Sequence, residues 1–264
     1  MEKMFPEDVC LTSRVPSNLM ASPRGGLLEG HPAGSPRPTY HPVMRNETIE
    51  SLPHFIELTC SENLQGFVFR GVTDIAEHRL LPSIGRLKRF EGASLAEVTK
   101  QEKHWLKCFR LEGARHVTAS LSDWEWMVLA RHHGLPVRLL DWTRNPLVAL
   151  YFAVWDGQGK KAAVYAEKFT RSIDTDQETD PLAVARVGKF QPASTSARMS
   201  AQASVLTLHP DPRKPYHSKT LRCLEISKTL APVIKVQLRR LGMHPATVFP
   251  DLDGLAKSIR YNEA

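Results

Sequence analysis

Residues 132–155 read HHGLPVRLLDWTRNPLVALYFAVW, and the reading of this stretch orders the rest of the chain. His133-Gly134-Leu135-Pro136 ends whatever helix precedes it, because glycine and proline both disfavour helical continuation. Asn145 to Trp155 then predicts a buried helix with Pro146 in its first turn, where a missing amide proton costs nothing. Between these two points Arg138, Asp141 and Arg144 are interleaved with apolar residues instead of being gathered on a solvent face. A partly buried polar loop is expected. Asp141 or Thr143 can cap the helix at Pro146, and Arg138 and Asp141, three residues apart, can form a structural ion pair. His133 is the residue suited to proton transfer near neutral pH. The paired histidines lack the HExxH spacing of a helical zinc site, and no metal site is expected.

Working toward the N-terminus, Leu121–Arg131 has Trp124, Met127 and Val128 on one helical face, and Leu95–Leu111 is also helical in period. Before them Phe67-Val68-Phe69 forms an apolar strand ending at Arg70-Gly71. An arginine at the end of an apolar strand must meet a carboxylate or phosphate, and its planar fork suits a diphosphate; the competing reading is a surface arginine before a turn. Glycine beside it permits a sharp turn or the close approach of a ligand. Ile49 to Leu58 carries the apolar spacing of a short helix. From Met1 to about Arg45, seven prolines and four glycines interrupt every period, so residues 1–45 are expected to be a flexible leader and 46–264 one folded domain.

Toward the C-terminus, Ala162–Ala166, Arg198–Leu208, Leu224–Ile226 and Val184–Val187 predict strands. In the second of these Ser200, Gln202 and Ser204 share one face by the period of two, lining a cleft or facing water. Leu230–Leu241 is an amphipathic helix stopped by Gly242, and Leu252–Tyr261 is a closing helix for which Asp251 serves as N-cap. Asp251 and Asp253 have an alternative use as magnesium ligands. Helices come early and strands late. The pattern is α+β with mostly antiparallel strands.

Composition narrows the class. The 264 residues hold 42% hydrophobic and 24% charged side chains, which excludes a disordered or fibrous chain. The longest apolar run, Pro146 to Trp155, is about half of the roughly 20 residues a membrane helix needs. A cytoplasmic protein with no membrane contact is expected, its four scattered cysteines reduced. The net charge is +7. Between Arg79 and Arg115 stand nine Lys/Arg against four Glu, a solvated helical face or a surface that meets phosphates. No GxSxG or SxxK pattern marks a serine nucleophile.

Taken in order, these motifs resemble the FRG domain, named for its (Phe/Tyr)-Arg-Gly element. Here that element is Phe69-Arg70-Gly71, followed by Leu80-Leu81-Pro82-Ser83 and Arg86. The block His132-His133-Gly134-Leu135-Pro136-Val137-Arg138-Leu139-Leu140-Asp141-Trp142-Thr143 is similar to the family's central signature, with Arg131 in place of Gln and Val137 in place of Thr. Asn145–Ala153, Arg198–Gln202 and Phe249–Leu255 also fit, so the resemblance spans about residues 47–260. It departs from the family at Ala203-Ser204-Val205-Leu206-Thr207, where Gly-x-Phe-Thr is usual. Members occur largely in bacteria and phages, and the family's activity is unassigned.

A second resemblance is to ADP-ribosyltransferases of the Arg-Ser-Glu type, which begin their site with an aromatic-Arg-Gly strand end. It implies NAD as cosubstrate and an ADP-ribosyltransferase-like fold, with an ADP-ribosyltransferase or NAD glycohydrolase activity, of toxin or phage-defence type, toward an unknown protein or nucleic-acid acceptor. For this reading the resemblance supplies Arg70 and Gly71 at the strand end, Gln202 and Ser204 near the polar strand, and Glu225 on the late strand Leu224-Glu225-Ile226; the polar loop adds Arg138 and Asp141 as further candidates at NAD and His133 as a second candidate catalytic residue. The alternatives are a non-catalytic nucleotide- or partner-recognition module using the same polar residues and, third, a magnesium-dependent nuclease using Asp141, Asp251 and Asp253.

Overall fold

The computed structural model describes residues 45–156, 159–192 and 196–262; the expected leader lies outside them apart from Arg45. Seven strands form one sheet: β1 (Arg45–Ile49), β2 (Val68–Val72), β3 (Leu139–Thr143), β4 (Ala162–Glu167), β5 (Gly188–Phe190), β6 (Ser204–Leu208) and β7 (Arg222–Ile226). Their order across the sheet is β1-β7-β4-β2-β3-β6-β5, and every pairing except β1 with β7 is antiparallel. The described helices are α1 (Leu52–Cys60), α2 (Leu95–Gly113), α3 (Asp123–His132), α4 (Pro146–Val154), α5 (Ala197–Ala201), α6 (Leu230–Arg240), α7 (Pro245–Val248) and α8 (Leu252–Asn262). The fold is α+β, with β4 to β7 following α1 to α4. Among the described residues, none of these helices is long and apolar enough to cross a membrane.

The helices form where the sequence supplies both caps and an apolar stripe. Ser94 and Glu97 close a capping box at the start of α2, and Ser122 and Glu125 do the same for α3; each satisfies backbone donors that the first turn leaves free. Trp124, Met127 and Val128 of α3 pack on Leu139, Leu206 and Leu208 of the sheet. α4 is apolar nearly all round because most of it is covered, with Val148–Tyr151, Ala153 and Val154 buried and Phe152 partly exposed. It packs with α1 and α6 on one sheet face, around Phe69, Val164 and Leu224. The other face buries Val68, Val72, Trp142, Ala163 and Tyr165 beneath Leu80, Phe169 and Leu221.

Several elements differ from the sequence expectation, each for a local reason. Ile49 closes β1 instead of opening a helix, since Arg45–Ile49 pairs with Arg222–Ile226. Leu139–Thr143 is a buried strand, β3, inside what reads as a loop. Residues 198–201 are helical: Ser196 caps a single turn whose exit at Ala203 has φ 44°, so the period of two holds only from Ser204 onward. Val184–Val187 is not a strand; β5 begins at Gly188. Neither Asp141 nor Thr143 caps α4. Asn145 does, its Oδ1 accepting from Leu147 N at 2.9 Å.

Gly71 is a strand residue, and its lack of a side chain is spent on α4. A Cβ there would stand 1.9 Å from the carbonyl oxygen of Ala149 and 2.7 Å from the amide nitrogen of Ala153. Helix and strand meet at backbone distance. Gly71→Ala is expected to force α4 off β2 and lower unfolding stability by about 2–3 kcal/mol, read as a shift in urea midpoint; an unchanged midpoint would show that α4 moves freely.

Candidate functional site

The sheet is split at its centre. β2 and β3 share only the Phe69–Thr143 pair, whereas β2 with β4 and β3 with β6 share five each. Beyond that pair the strands diverge, and backbone groups that would bond across the ladder need other partners. Arg70 provides one: its Nη1 donates to the backbone carbonyl of Asp141 at 2.6 Å. The same nitrogen is 3.8 Å from the Asp141 carboxylate. Arg131, on the last turn of α3, reaches that carboxylate more closely, with Nη2 at 2.5 Å from Oδ2. Asp141 is thus gripped by two arginines while remaining half exposed.

A cleft of about 470 Å³ opens over this split. Arg70, Arg86, Arg131, His132 and Arg198 line it together with Asp141, Gln202 and Ser204, and Phe69, Val148, Phe152, Met199 and Leu206 supply apolar walls. Its carboxylates are Asp141 and Asp156, so four guanidinium groups face two acids. Among the described residues the buried Nε–H groups of both Arg70 and Arg131 have no hydrogen-bond partner, an unusual state for buried donors. Burial, with the like charges of Arg131 and Arg86, pushes the Arg70 guanidinium down to about 10 against the opposing pull of Asp141. It remains charged at neutral pH. Burial also holds His132 below its usual range, and the charges of Arg198 and His133 push the same way.

The far wall is tied to the sheet by polar contacts. Thr143 Oγ1 donates to the backbone oxygen of Gln202 at 2.6 Å, and Gln202 Nε2 donates to Val248 O at 3.1 Å. Arg198 stacks on Phe249 with its guanidinium carbon 4.4 Å from the ring centroid, a cation–π contact.

Of the residues expected at one site, Arg70, Gly71, Asp141, Gln202 and Ser204 line the cleft, and three do not. Arg138 is 2% exposed and turned away: its backbone N and its Nε each donate to Glu102 of α2 at 2.7 Å, and Nη2 reaches Thr99 Oγ1 at 3.0 Å. It pairs with Glu102, not with Asp141. His133 is exposed at the end of α3, against the Phe109 ring, and the cleft-lining histidine is its neighbour His132. Glu225 lies two strands away from β2's open edge, ion-paired with Lys161 and bonded by Asn46. For the magnesium alternative, Asp251 Oδ1 accepts from Gly254 N at 2.8 Å as the cap of α8. Among the described residues no group of three or more His, Cys, Asp or Glu gathers as a metal cage.

Sequence reasoning missed Arg131 and Arg198 as cleft residues. Arg131 stands in the motif position where glutamine is usual, and that departure was its signal. Also missed was His209, buried beneath the split. Its Nε2 is 2.9 Å from Thr207 Oγ1, which accepts from Trp142 Nε1 at 3.0 Å. Burial and the neighbouring Arg70 charge push His209 down to about 3, so it is neutral in the folded chain at neutral pH.

Residues 65–162 match the family model of the FRG domain, so an FRG domain is present in this chain. The matched segment runs through β2, α2, α3, β3 and α4 and contains Arg70, Arg131 and Asp141. No curated protein and no solved structure matches the chain.

Two outcomes follow from this geometry. Arg138→Ala leaves Glu102 buried without its cation and is expected to cost about 3–5 kcal/mol of stability, measured by chemical unfolding; a loss under about 1 kcal/mol would mean water reaches Glu102. Because His209 is lowered on folding, the unfolded chain takes up the extra proton, so stability is full above about pH 6.5 and falls as pH drops toward 3. His209→Gln is expected to flatten that decline in urea midpoints between about pH 7 and 4.5 relative to the parent, and equal slopes would reject the assignment.

Proposed function

We propose that this FRG domain binds a nucleotide through its diphosphate, with NAD or ADP-ribose as the ligand class. The observation that carries the reading is the arginine cluster at the split sheet: four guanidinium groups against two carboxylates, two of them with buried, unpartnered Nε–H donors. Such donors are satisfied by an anion offering several oxygens, and a diphosphate matches the planar fork of arginine. The volume fits the range of about 300–1,000 Å³ usual for small-molecule sites, and the apolar wall beside the polar floor suits a base and ribose.

ADP-ribosyl transfer, or hydrolysis of NAD, is the catalytic form of the same reading. It is favoured by Arg70 on β2 and Ser204 on β6 lining one cleft. That chemistry needs a carboxylate near the oxocarbenium-like carbon. With Glu225 and His133 outside the cleft and Asp141 neutralised by two arginines, Asp156 is the cleft carboxylate left for the role. The recognition-module form needs no such group and uses Arg70, Arg131 and Arg198 alone.

Arg70→Lys keeps the charge and loses the fork. Titration calorimetry with ADP-ribose is expected to show binding weakened by about 30- to 100-fold, equivalent to roughly 2–3 kcal/mol, with little change in melting temperature. Nicotinamide release from NAD, abolished in Asp156→Asn, separates the transferase from the recognition module. Absence of NAD and ADP-ribose binding by the parent chain would reject the nucleotide reading.

A further inference from the structure

Beside the cleft runs a second concavity of about 520 Å³, lined by Arg86, Lys88, Phe90, Glu91, Gly92 and Arg213 among others. Arg86 belongs to both, forming the shared wall. Lys88 and Arg89 are exposed on the short turn that follows. The Arg89 guanidinium carbon lies 5.2 Å from the Phe90 ring centroid and 5.3 Å from that of Trp105, and these two rings are 5.9 Å apart. Arg213 is fixed in place: Asp211 accepts from its Nε and Nη2 at 2.8 Å each, and its Nη1 donates to Ala93 O at 2.9 Å. Gly92, at φ +77°, has open space where a Cβ would stand, so backbone there is accessible to a ligand.

We infer that this groove holds a single-stranded nucleic acid whose phosphates follow Arg86, Lys88 and Arg89 and whose terminal nucleotide enters the cleft. Two features separate this partner from an acidic peptide. Positive charge is continuous from the cleft floor through Arg86 into the groove, with Glu91 and Asp211 as the opposing acids, which suits a regularly charged backbone. Phe90 on the groove wall, tilted at 55° to Trp105 just behind it and with the Arg89 guanidinium over both rings, offers the aromatic and cationic surface that unpaired bases use. A strand fits where a duplex does not, because the groove leads into a pocket of nucleotide size. The position of the strand's end rests on the nucleotide reading of the cleft, while the groove's affinity does not.

The test is fluorescence anisotropy of a labelled single-stranded oligonucleotide of about 12 residues with the full chain, across about 50 to 200 mM salt. The parent is expected to bind with strong salt dependence. Lys88→Gln with Arg89→Gln is expected to weaken binding about tenfold and to reduce the slope of log K against log salt by about 1.4, the loss of two phosphate contacts. Circular dichroism melts confirm that the variant folds, and its ADP-ribose affinity should equal the parent's. No oligonucleotide binding by the parent, a variant with unchanged slope, or equal binding of poly-glutamate of the same charge would overturn the proposal. ADP-ribose titration is a separate readout: its failure rejects the cleft reading and leaves the groove to stand on the salt slopes.

Discussion

Everything at the site depends on one guanidinium placed where two strands part. β2 and β3 are held at Phe69 and Thr143 and then diverge, leaving the Asp141 carbonyl facing an opening instead of a strand amide. Arg70 donates to that carbonyl, so the charge is part of the sheet's own hydrogen bonding and is fixed in position by it. A cation held this way is preorganised, because its location does not depend on the ligand. Its Nε–H is buried with no partner among the described residues.

Arg138 shows the contrast. It stands three residues before Asp141 in the same segment, and it too is buried, yet nearly all of its fork is satisfied by Glu102, Thr99 and Pro210. One arginine fastens α2 to β3, and the other, across the strand gap, keeps donors in reserve. The neutral His209 beneath Arg70 follows from the same placement, since a second buried charge beside an unneutralised guanidinium is unfavourable. Gly71 completes the arrangement by admitting α4 at backbone contact, which closes one side of the split and brings Val148 and Phe152 to the cleft wall.

Much of this was legible in the sequence. The capped, striped helices α2 and α3 and the strand around Val68 declare themselves through period and punctuation. The expectation that polar groups set among apolar residues share a cleft or one another covers Arg70, His133, Arg138 and Asp141, and the structure brings Arg70 and Asp141 together while Arg138 turns to Glu102 and His133 to the Phe109 ring. What period cannot express is a divided sheet. Leu139–Thr143 reads as part of a polar loop because Arg138, Asp141 and Arg144 are interleaved with its apolar residues, although only Asp141 of the strand, at the divide, is half exposed. Nor does local spacing tell which carboxylate meets which arginine: Arg138 finds Glu102 36 residues earlier, and Asp141 finds Arg131 from the preceding helix. The choice between His132 and His133 depended on the exact end of α3, the least legible feature of a helix.

The central claim is that Arg70's spare donor receives an anion. Nitrogen-15 NMR of the arginine Nε–H groups during titration with ADP-ribose reads it directly. The account predicts that the Arg70 and Arg131 resonances shift together and saturate at one equivalent, while the Arg138 resonance, already bonded to Glu102, stays in place. Saturable binding with Arg70 and Arg131 unmoved would contradict it.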